Sequence, residues 1–464
     1  MKRKLFEDCK LKFEHPDWSR NPELGVVATL LETHPELITL AAGDVLKDCT
    51  TNNLGRGDSP SVEQIVRAAI YKEMKGLDYR ELEYHQSDSR ICEHFLKIDP
   101  MRPYSFEVFQ KYIVKITEST LQTLMLEINK VAISEGLESV EAVRQDSTVI
   151  QSNIHYPTNN SLIWDCIGES HRLLSHLKEE VSDLNYRDYT KGAKKTYFKI
   201  NNTKLDKKKK GAKAEEAEKK VLDKRQKLFA EQLITFTKSI NQVANIVKKK
   251  DEFSLNTAAK AIIAKLEKLL PVMEQVYQMS VKREILGESV PNSEKIFSIY
   301  EQHTDIIVKG SRETQFGHKV DFASGKNNMI LYCSILRGNP KDSDLYVPML
   351  DNIEKNYKQI PRDSANDGGY ASKKNLEYAQ GKGVKNIVFN KIVGSMQNIV
   401  SSKNMETRLK KWRSGMEAVI SNVKRGFDIS RCIWKGWEHF VQKVLWSVIA
   451  YNIRVMTRNM VALL

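Results

Sequence analysis

The chain of 464 residues has six cysteines, Cys9, Cys49, Cys92, Cys166, Cys333 and Cys432, and no two of them form a Cys-x-x-Cys pair. That absence excludes a zinc ribbon and a dithiol redox motif. Thiols scattered this widely in a long chain fit free, buried side chains in a reducing compartment. The first residues, Met1 to Lys12, are charged throughout and lack the apolar stretch of a signal peptide. No apolar run reaches the roughly 20 residues that cross a bilayer. The longest near the end, Val444 to Ile453, contains Ser447 and Asn452 and stops at Arg454, which predicts a buried C-terminal helix. There is no internal repeat. These absences predict a cytoplasmic protein with no membrane partner.

Positive charge is what the chain has in excess. The formal charge is +14, enough to suggest a polyanionic partner, because Lys and Arg displace counterions from phosphates. A merely basic surface is the competing reading. The excess is concentrated: residues 185 to 230 hold 16 Lys and Arg against 6 Asp and Glu, peaking at Lys207-Lys208-Lys209-Lys210. A solvated charge run explains such a segment on its own. Its place between two halves of a strand-rich region predicts instead a basic helical insertion.

Periodicity gives the rest of the layout. Leu24 to Leu40 is predicted helical. Pro60 suits a first helical turn after a Ser59 or Ser61 cap, and Val62, Ile65, Val66 and Ala69 recur at helical spacing until Gly76. Asp78 to Glu81 forms an Asp-x-x-Glu capping box that opens the next helix. Helices over Arg90 to Leu96 and Ser105 to Val114 complete a bundle of helix-turn-helix type. It reads as a DNA-binding module, and an ordinary helical bundle gives the same pattern. From Glu141 the texture changes. Val143, Gln145, Ser147 and Val149 alternate with Arg144, Asp146 and Thr148, which predicts a strand with Asp146 near its middle. Trp164 to Met279 is helical. Strand signals resume at Lys295 to Val308. Residues from Gly317 to Phe322 and Met329 to Leu336 flank a turn-rich stretch and predict a hairpin. A helix over Ser343 to Tyr357, a second strand end at Asp367, a helix over Ser372 to Gly381, a strand over Val384 to Phe389 and a long helix over Lys403 to Lys424 follow. The order predicts an α+β fold, a mixed sheet flanked by helices.

Three acids stand out on this layout: Asp146 on the first strand, Asp367 at the end of a later one, and Glu417 on the last long helix. Phosphodiester cleavage needs an activated water and a stabilised leaving oxygen, and two Mg²⁺ ions about 4 Å apart supply both. Mg²⁺ takes hard oxygen ligands, so a few carboxylates suffice. Gly368 and Gly369 are read as clearing space for a DNA backbone. On the long helix, Lys410, Arg413, Glu417 and Lys424 fall on one stripe, which suits a metal ligand flanked by phosphate clamps. An exposed, salt-bridged face is the alternative.

These residues resemble bacterial insertion-sequence transposases of the DDE class. The resemblance rests on Gln145-Asp146-Ser147-Thr148-Val149, Gly317-His318-Lys319, Gly338-Asn339-Pro340-Lys341-Asp342, Asn366-Asp367-Gly368-Gly369-Tyr370 and Arg413-x3-Glu417-x6-Lys424. It implies a ribonuclease-H-like catalytic domain over 139–425, interrupted by the insertion at about 157–290. A segment over 1–58, a helical DNA-binding domain over 59–138 and a C-terminal helical segment over 426–464 complete the chain. It implies that Asp146, Asp367 and Glu417 are catalytic and hold two Mg²⁺ ions, with Mn²⁺ as a substitute. His318, Lys319, Asn339, Lys410, Arg413, Lys424 and Lys207 to Lys210 are expected to touch DNA or to orient the acids. Many relatives carry Tyr where this chain has Lys410, and the shortest members lack the long insertion. The implied partners are double-stranded DNA, as terminal inverted repeats and as target, and a second copy of the chain in a homodimer or higher oligomer. A nuclease without strand transfer and an inert, DNA-binding derivative are the competing functions.

Overall fold

Eleven residues from Ala142 to Ser152 form strand β1, the axis on which the rest is built. Buried and half-buried residues alternate around Asp146, and both faces are largely covered. The structure, a computed structural model, describes residues 18, 21–48, 59–203, 212–253, 255–308, 313–390, 392 and 396–461. It divides into two compact units, residues 1–153 with 307–464, and residues 154–306.

Seven strands among the described residues make one mixed sheet. They are β1, β2 (Asp305–Ile307), β3 (Gln315–Ser324), β4 (Ile330–Ile335), β5 (Asp363–Asn366), β6 (Asn386–Phe389) and β7 (Arg431–Cys432). The order is β2-β3-β1-β5-β6, with β4 beside β3 and β7 beside β1. β3 and β4 form the expected antiparallel hairpin. β1 runs antiparallel to β3 and parallel to β5, and β5 parallel to β6. β3 approaches β1 so closely that a Cβ on Gly317 would run into the Ile150 carbonyl, which accounts for that glycine.

Two helices of the first unit begin at the caps the sequence predicts, Ser61 and Asp78, whereas the helix expected from Ser343 begins at Tyr346. α1 (Pro22–Thr33) and α2 (Glu36–Thr39) divide the expected Leu24–Leu40 helix at His34-Pro35, since a proline ring cannot continue the ladder. α3 is Ala42–Val45. α4 (Val62–Lys75) opens on a reciprocal Ser61–Gln64 capping box and stops at Gly76, whose φ is 68°. α5 (Tyr79–Asp88) opens on the Asp78–Glu81 box. α6 (Arg90–Leu96), α7 (Phe106–Ile113) and α8 (Glu118–Ser134) follow. α13 (Tyr346–Tyr357), α14 (Lys373–Gly381), α15 (Lys403–Gly426) and α16 (Trp437–Val461) flank the sheet. The predicted C-terminal helix is thus longer than its apolar run, and its two polar interruptions are buried with partners. Asn452 accepts from the Ile330 amide at 2.8 Å and donates to Asn129, while Ser447 donates to the Lys443 carbonyl. Leu24, Val66, Phe95, Leu124, Phe322, Met416 and Trp446 belong to one continuous core, so the N-terminal helices, the sheet and α16 are packed together.

The second unit is helical, with α9 (Asn159–Glu180), α10 (Thr190–Asn201), α11 (Ala212–Lys248) and α12 (Thr257–Ser280) around its own core of Ile163, Leu174, Phe229, Phe236 and Met273. Lys207 to Lys210, the peak of the basic run, lie outside the described residues. The strand expected over Lys295 to Val308 is only Asp305–Ile307. Before it the chain turns, because Ser298 Oγ accepts from the amides of both Tyr300 and Glu301 and competes with extended pairing. No helix among the described residues is long and apolar enough to cross a membrane.

Candidate active site

The parallel pairing of β1 and β5 brings the first two acids together. The last registered pair is Gln145 with Asn366, and the next residue on each strand is Asp146 and Asp367. Asp146 therefore stands near the middle of β1, just past the stretch that pairs with β5, beside Asp367 just past the carboxyl end of β5. α15 lies across this end and adds Glu417. All three line one cleft of about 1010 Å³, with Ser147, Thr148, Asp342, Asn390, Lys424 and Arg425 among its other walls.

What joins the acids is a guanidinium. Arg413, buried in the floor, reaches Asp146 Oδ2 with Nη2 at 2.6 Å, Asp367 Oδ1 at 3.7 Å and, with Nη1, Glu417 Oε1 at 3.3 Å. One planar cation thus bridges three carboxylates from three separate parts of the chain, and its single positive charge offsets only part of theirs. Asp146 Oδ1 also accepts from the Ser147 amide at 2.8 Å. Lys424, two turns further along the face shared by Arg413 and Glu417, donates to the Val149 carbonyl at 2.9 Å and pins α15 to β1.

A second cation fixes the helix over the strand. Arg144 sits two residues before Asp146, 2% exposed, with its guanidinium 4.8 Å from the Trp412 ring centre. It donates to the Trp412 carbonyl at 2.5 Å, to Ser324 Oγ at 3.0 Å and to Asn328 Oδ1. Asn328 holds this position at the hairpin turn with φ 79°, a left-handed conformation that Asn tolerates. Gly415 provides the notch: a Cβ there would crowd the Arg144 guanidinium. Trp412 is therefore a platform for Arg144, and Trp437 stacks on Phe440.

The other expected residues fall in different places. His318 is fully buried, edge-on to Trp437 at 4.8 Å and Phe440 at 4.9 Å, so it is a core residue out of reach of DNA. Lys319 is buried too, and its Nζ donates to the Pro340 carbonyl at 2.6 Å and Asp342 Oδ1 at 3.0 Å. Lys410 pairs with Glu406 at 2.6 Å and is not among the cleft walls: it shares their face of α15 but lies about one turn before Arg413, the first α15 residue of the cleft. Asn339 is exposed and likewise outside those walls. Gly369 does not clear space for DNA. Its missing Cβ is filled by Asp342, whose Oδ2 would lie 3.0 Å away.

Two cleft residues escaped the reading of the sequence. Asp342 is a fourth carboxylate at the rim, held by Lys319 and by Ser147 Oγ at 3.0 Å. Its signal was its place in Gly338-Asn339-Pro340-Lys341-Asp342. Asn390 follows β6, the third parallel strand, and its Oδ1 is buried with no hydrogen-bond partner. Its signal was the strand-end position itself.

The donors suit a hard divalent cation in kind: carboxylate oxygens from three elements and an unpartnered amide oxygen, with no sulfur and no imidazole. As they stand, no three acids, histidines or cysteines among the described residues form a ready ligand cluster. Arg413 occupies the middle of the carboxylates instead.

Residues 308–453 match the family model of the transposase DDE domain. The match takes in Asp367, Arg413 and Glu417, and Asp146 lies before it. No curated protein and no solved structure matches the chain.

Proposed function

From that match, which supports a DDE-class transposase, we propose that this chain binds the ends of a mobile DNA element, hydrolyses a phosphodiester to free a 3′-hydroxyl, and joins that hydroxyl to target DNA. The observation that carries the reading is the meeting of Asp146, Asp367 and Glu417 on the Arg413 guanidinium, where β5 ends beside the middle of β1. One buried arginine leaves these acids, far apart in sequence, with an excess of negative charge in one cleft. Gathered negative charge is costly, and it is kept where chemistry uses it.

Asp146, Asp367 and Glu417 are the residues that would hold Mg²⁺, or Mn²⁺ in its place. When bound, such ions lower the pKa of a water and stabilise the leaving oxygen of the scissile phosphate. The protein's own groups do the rest. Arg413 keeps the three carboxylates gathered until another cation neutralises them, and its guanidinium then becomes available to a phosphate. Arg425 is exposed at the cleft wall and gives a further phosphate contact. Lys424 and Arg144 hold α15 in register, so that Glu417 stays over the strand ends. The helical second unit, which bears the basic run, adds affinity for the DNA backbone, and the N-terminal helices recognise the element's end. A second copy of the chain completes the assembly on DNA, in the cytoplasm.

The test is incubation of a labelled element end with target DNA and Mg²⁺. Joined product supports the transposase. Cut product alone would make the chain a nuclease, and bound DNA alone an inert derivative.

A further inference from the structure

Asp321 is a carboxylate that the proposed chemistry does not use. It lies on β3 opposite Ser147 and is fully buried. Each of its oxygens has one donor. Gln145 Nε2 reaches Oδ2 at 2.7 Å, and the Tyr370 hydroxyl reaches Oδ1 at 2.8 Å. Both donors are themselves fully buried. Gln145 immediately precedes Asp146. Tyr370 closes the single turn Gly368–Tyr370, for which Asp367 is the cap residue. One carboxylate is thus bonded on one side to the segment carrying the first candidate ligand, and on the other to the segment carrying the second.

The rest of the network stiffens this fork. Gln145 Nε2 also donates to the Leu345 carbonyl at 3.2 Å, and Asn375 Nδ2 donates to the Tyr370 carbonyl at 2.8 Å. The charge itself is not compensated. Burial, and the neighbouring carboxylates of Asp342 and Asp146, push Asp321 up to about 7. A lone buried acid is an expensive way to accept two hydrogen bonds, and a core tolerates one where its geometry matters.

We propose that Asp321 is a positioning residue that fixes the spacing of the Asp146 and Asp367 carboxylates for a divalent cation. The inference rests on the reading that these two acids are metal ligands. A group hydrogen-bonded directly to a ligand sets its orientation, and its loss weakens metal binding by roughly 10–100-fold; Asp321 acts through the backbone neighbours Gln145 and Tyr370, which puts its effect at the lower end.

Isothermal titration calorimetry of the full chain with Mn²⁺, without DNA, tests this apart from activity. Asp321→Ala and Tyr370→Phe should each weaken Mn²⁺ binding by about tenfold or more. Asp321→Asn should bind as the wild type does, because its oxygen still accepts from Gln145 and its amide meets the Tyr370 hydroxyl. Wild-type affinity in both Asp321→Ala and Tyr370→Phe would overturn the proposal. So would an Asp321→Asn variant as weak as Asp321→Ala, or affinity losses that merely track losses in melting temperature. Tyr370→Phe keeps the ring in its buried place, so the test survives if Asp321→Ala does not fold. Failure of the wild type to bind Mn²⁺ at all would instead remove the metal reading of Asp146 and Asp367 on which the inference stands.

Discussion

Gly415→Ala should slow strand cleavage on the order of 10²-fold while costing at most about 2 kcal/mol of stability. Gly415 lies in the interior of α15, where replacing glycine by alanine ordinarily stabilises a helix by about 1 kcal/mol. Here the new Cβ would lie 3.2 Å from Arg144 Cζ and closer still to Nη1, inside the 3.0 Å limit of real Cβ contacts. A free arginine end would swing aside at little cost. Arg144 is not free, because Ser324, the Trp412 carbonyl and Asn328 hold three of its nitrogens in a buried site. The helix must move instead, by on the order of 1 Å to restore ordinary contact. Overpacking of this kind costs about 1–3 kcal/mol, so the net loss is roughly 0–2 kcal/mol. Arg413 and Glu417 flank Gly415 on the same helix and move with it. A misplacement of about 1 Å at reacting groups costs on the order of 10²-fold in rate. Single-turnover cleavage at saturating DNA, with a melting curve alongside, measures both effects. Adding Arg144→Lys, which removes the forked end from the notch, should recover part of the rate. A Gly415→Ala variant that cleaves at the wild-type rate would refute the idea that the Arg144 fork sets the helix register.

Arg413→Gln should lower the melting temperature without metal, since three gathered carboxylates lose their cation, and Mg²⁺ should raise it more than in the wild type. An equal Mg²⁺ response in both proteins would count against a shared site. Asp321 gives a pH signature. Its folded value is raised to about 7 from 3.8, so the native state keeps a proton that the unfolded chain has lost. Its contribution to stability is full below about 4 and is lost as pH rises through about 7. Denaturation of Asp321→Asn against the wild type should therefore show a gap widening in the variant's favour across that window; a constant gap would mean that Asp321 titrates normally. Neutralising Lys207 to Lys210 should weaken binding to all DNA sequences alike and flatten the dependence of log affinity on log salt, because phosphate contacts carry no sequence information. An unchanged slope would leave the DNA grip to the cleft residues Arg413, Lys424 and Arg425.

Local chemistry made much of the fold legible. The capping boxes at Ser61 and Asp78, the β3–β4 hairpin and the alternation around Asp146 are each decided by residues a few positions apart. Helical arithmetic placed Arg413, Glu417 and Lys424 on one face, and also carried Lys410 with them, because an angle around a helix does not say how far along it the facing cleft extends. What stayed hidden depends on contacts across the sheet. Nothing near His318 in sequence announces that Trp437 and Phe440 will enclose it. Nothing near Gly369 says that Asp342 will take its space. The buried fork at Asp321 joins positions 145, 321 and 370, and one chain read alone gives no sign of such a triple.

The central claim is that Asp146, Asp367 and Glu417 act together on DNA strands. The most direct measurement pairs Asp146→Asn, Asp367→Asn and Glu417→Gln with the wild type, using a labelled element end, target DNA and Mg²⁺. Each variant should bind the end as tightly as the wild type and yield neither cut nor joined product. Retention of cleavage by any one of them, or loss of binding in all three, would contradict a shared catalytic role.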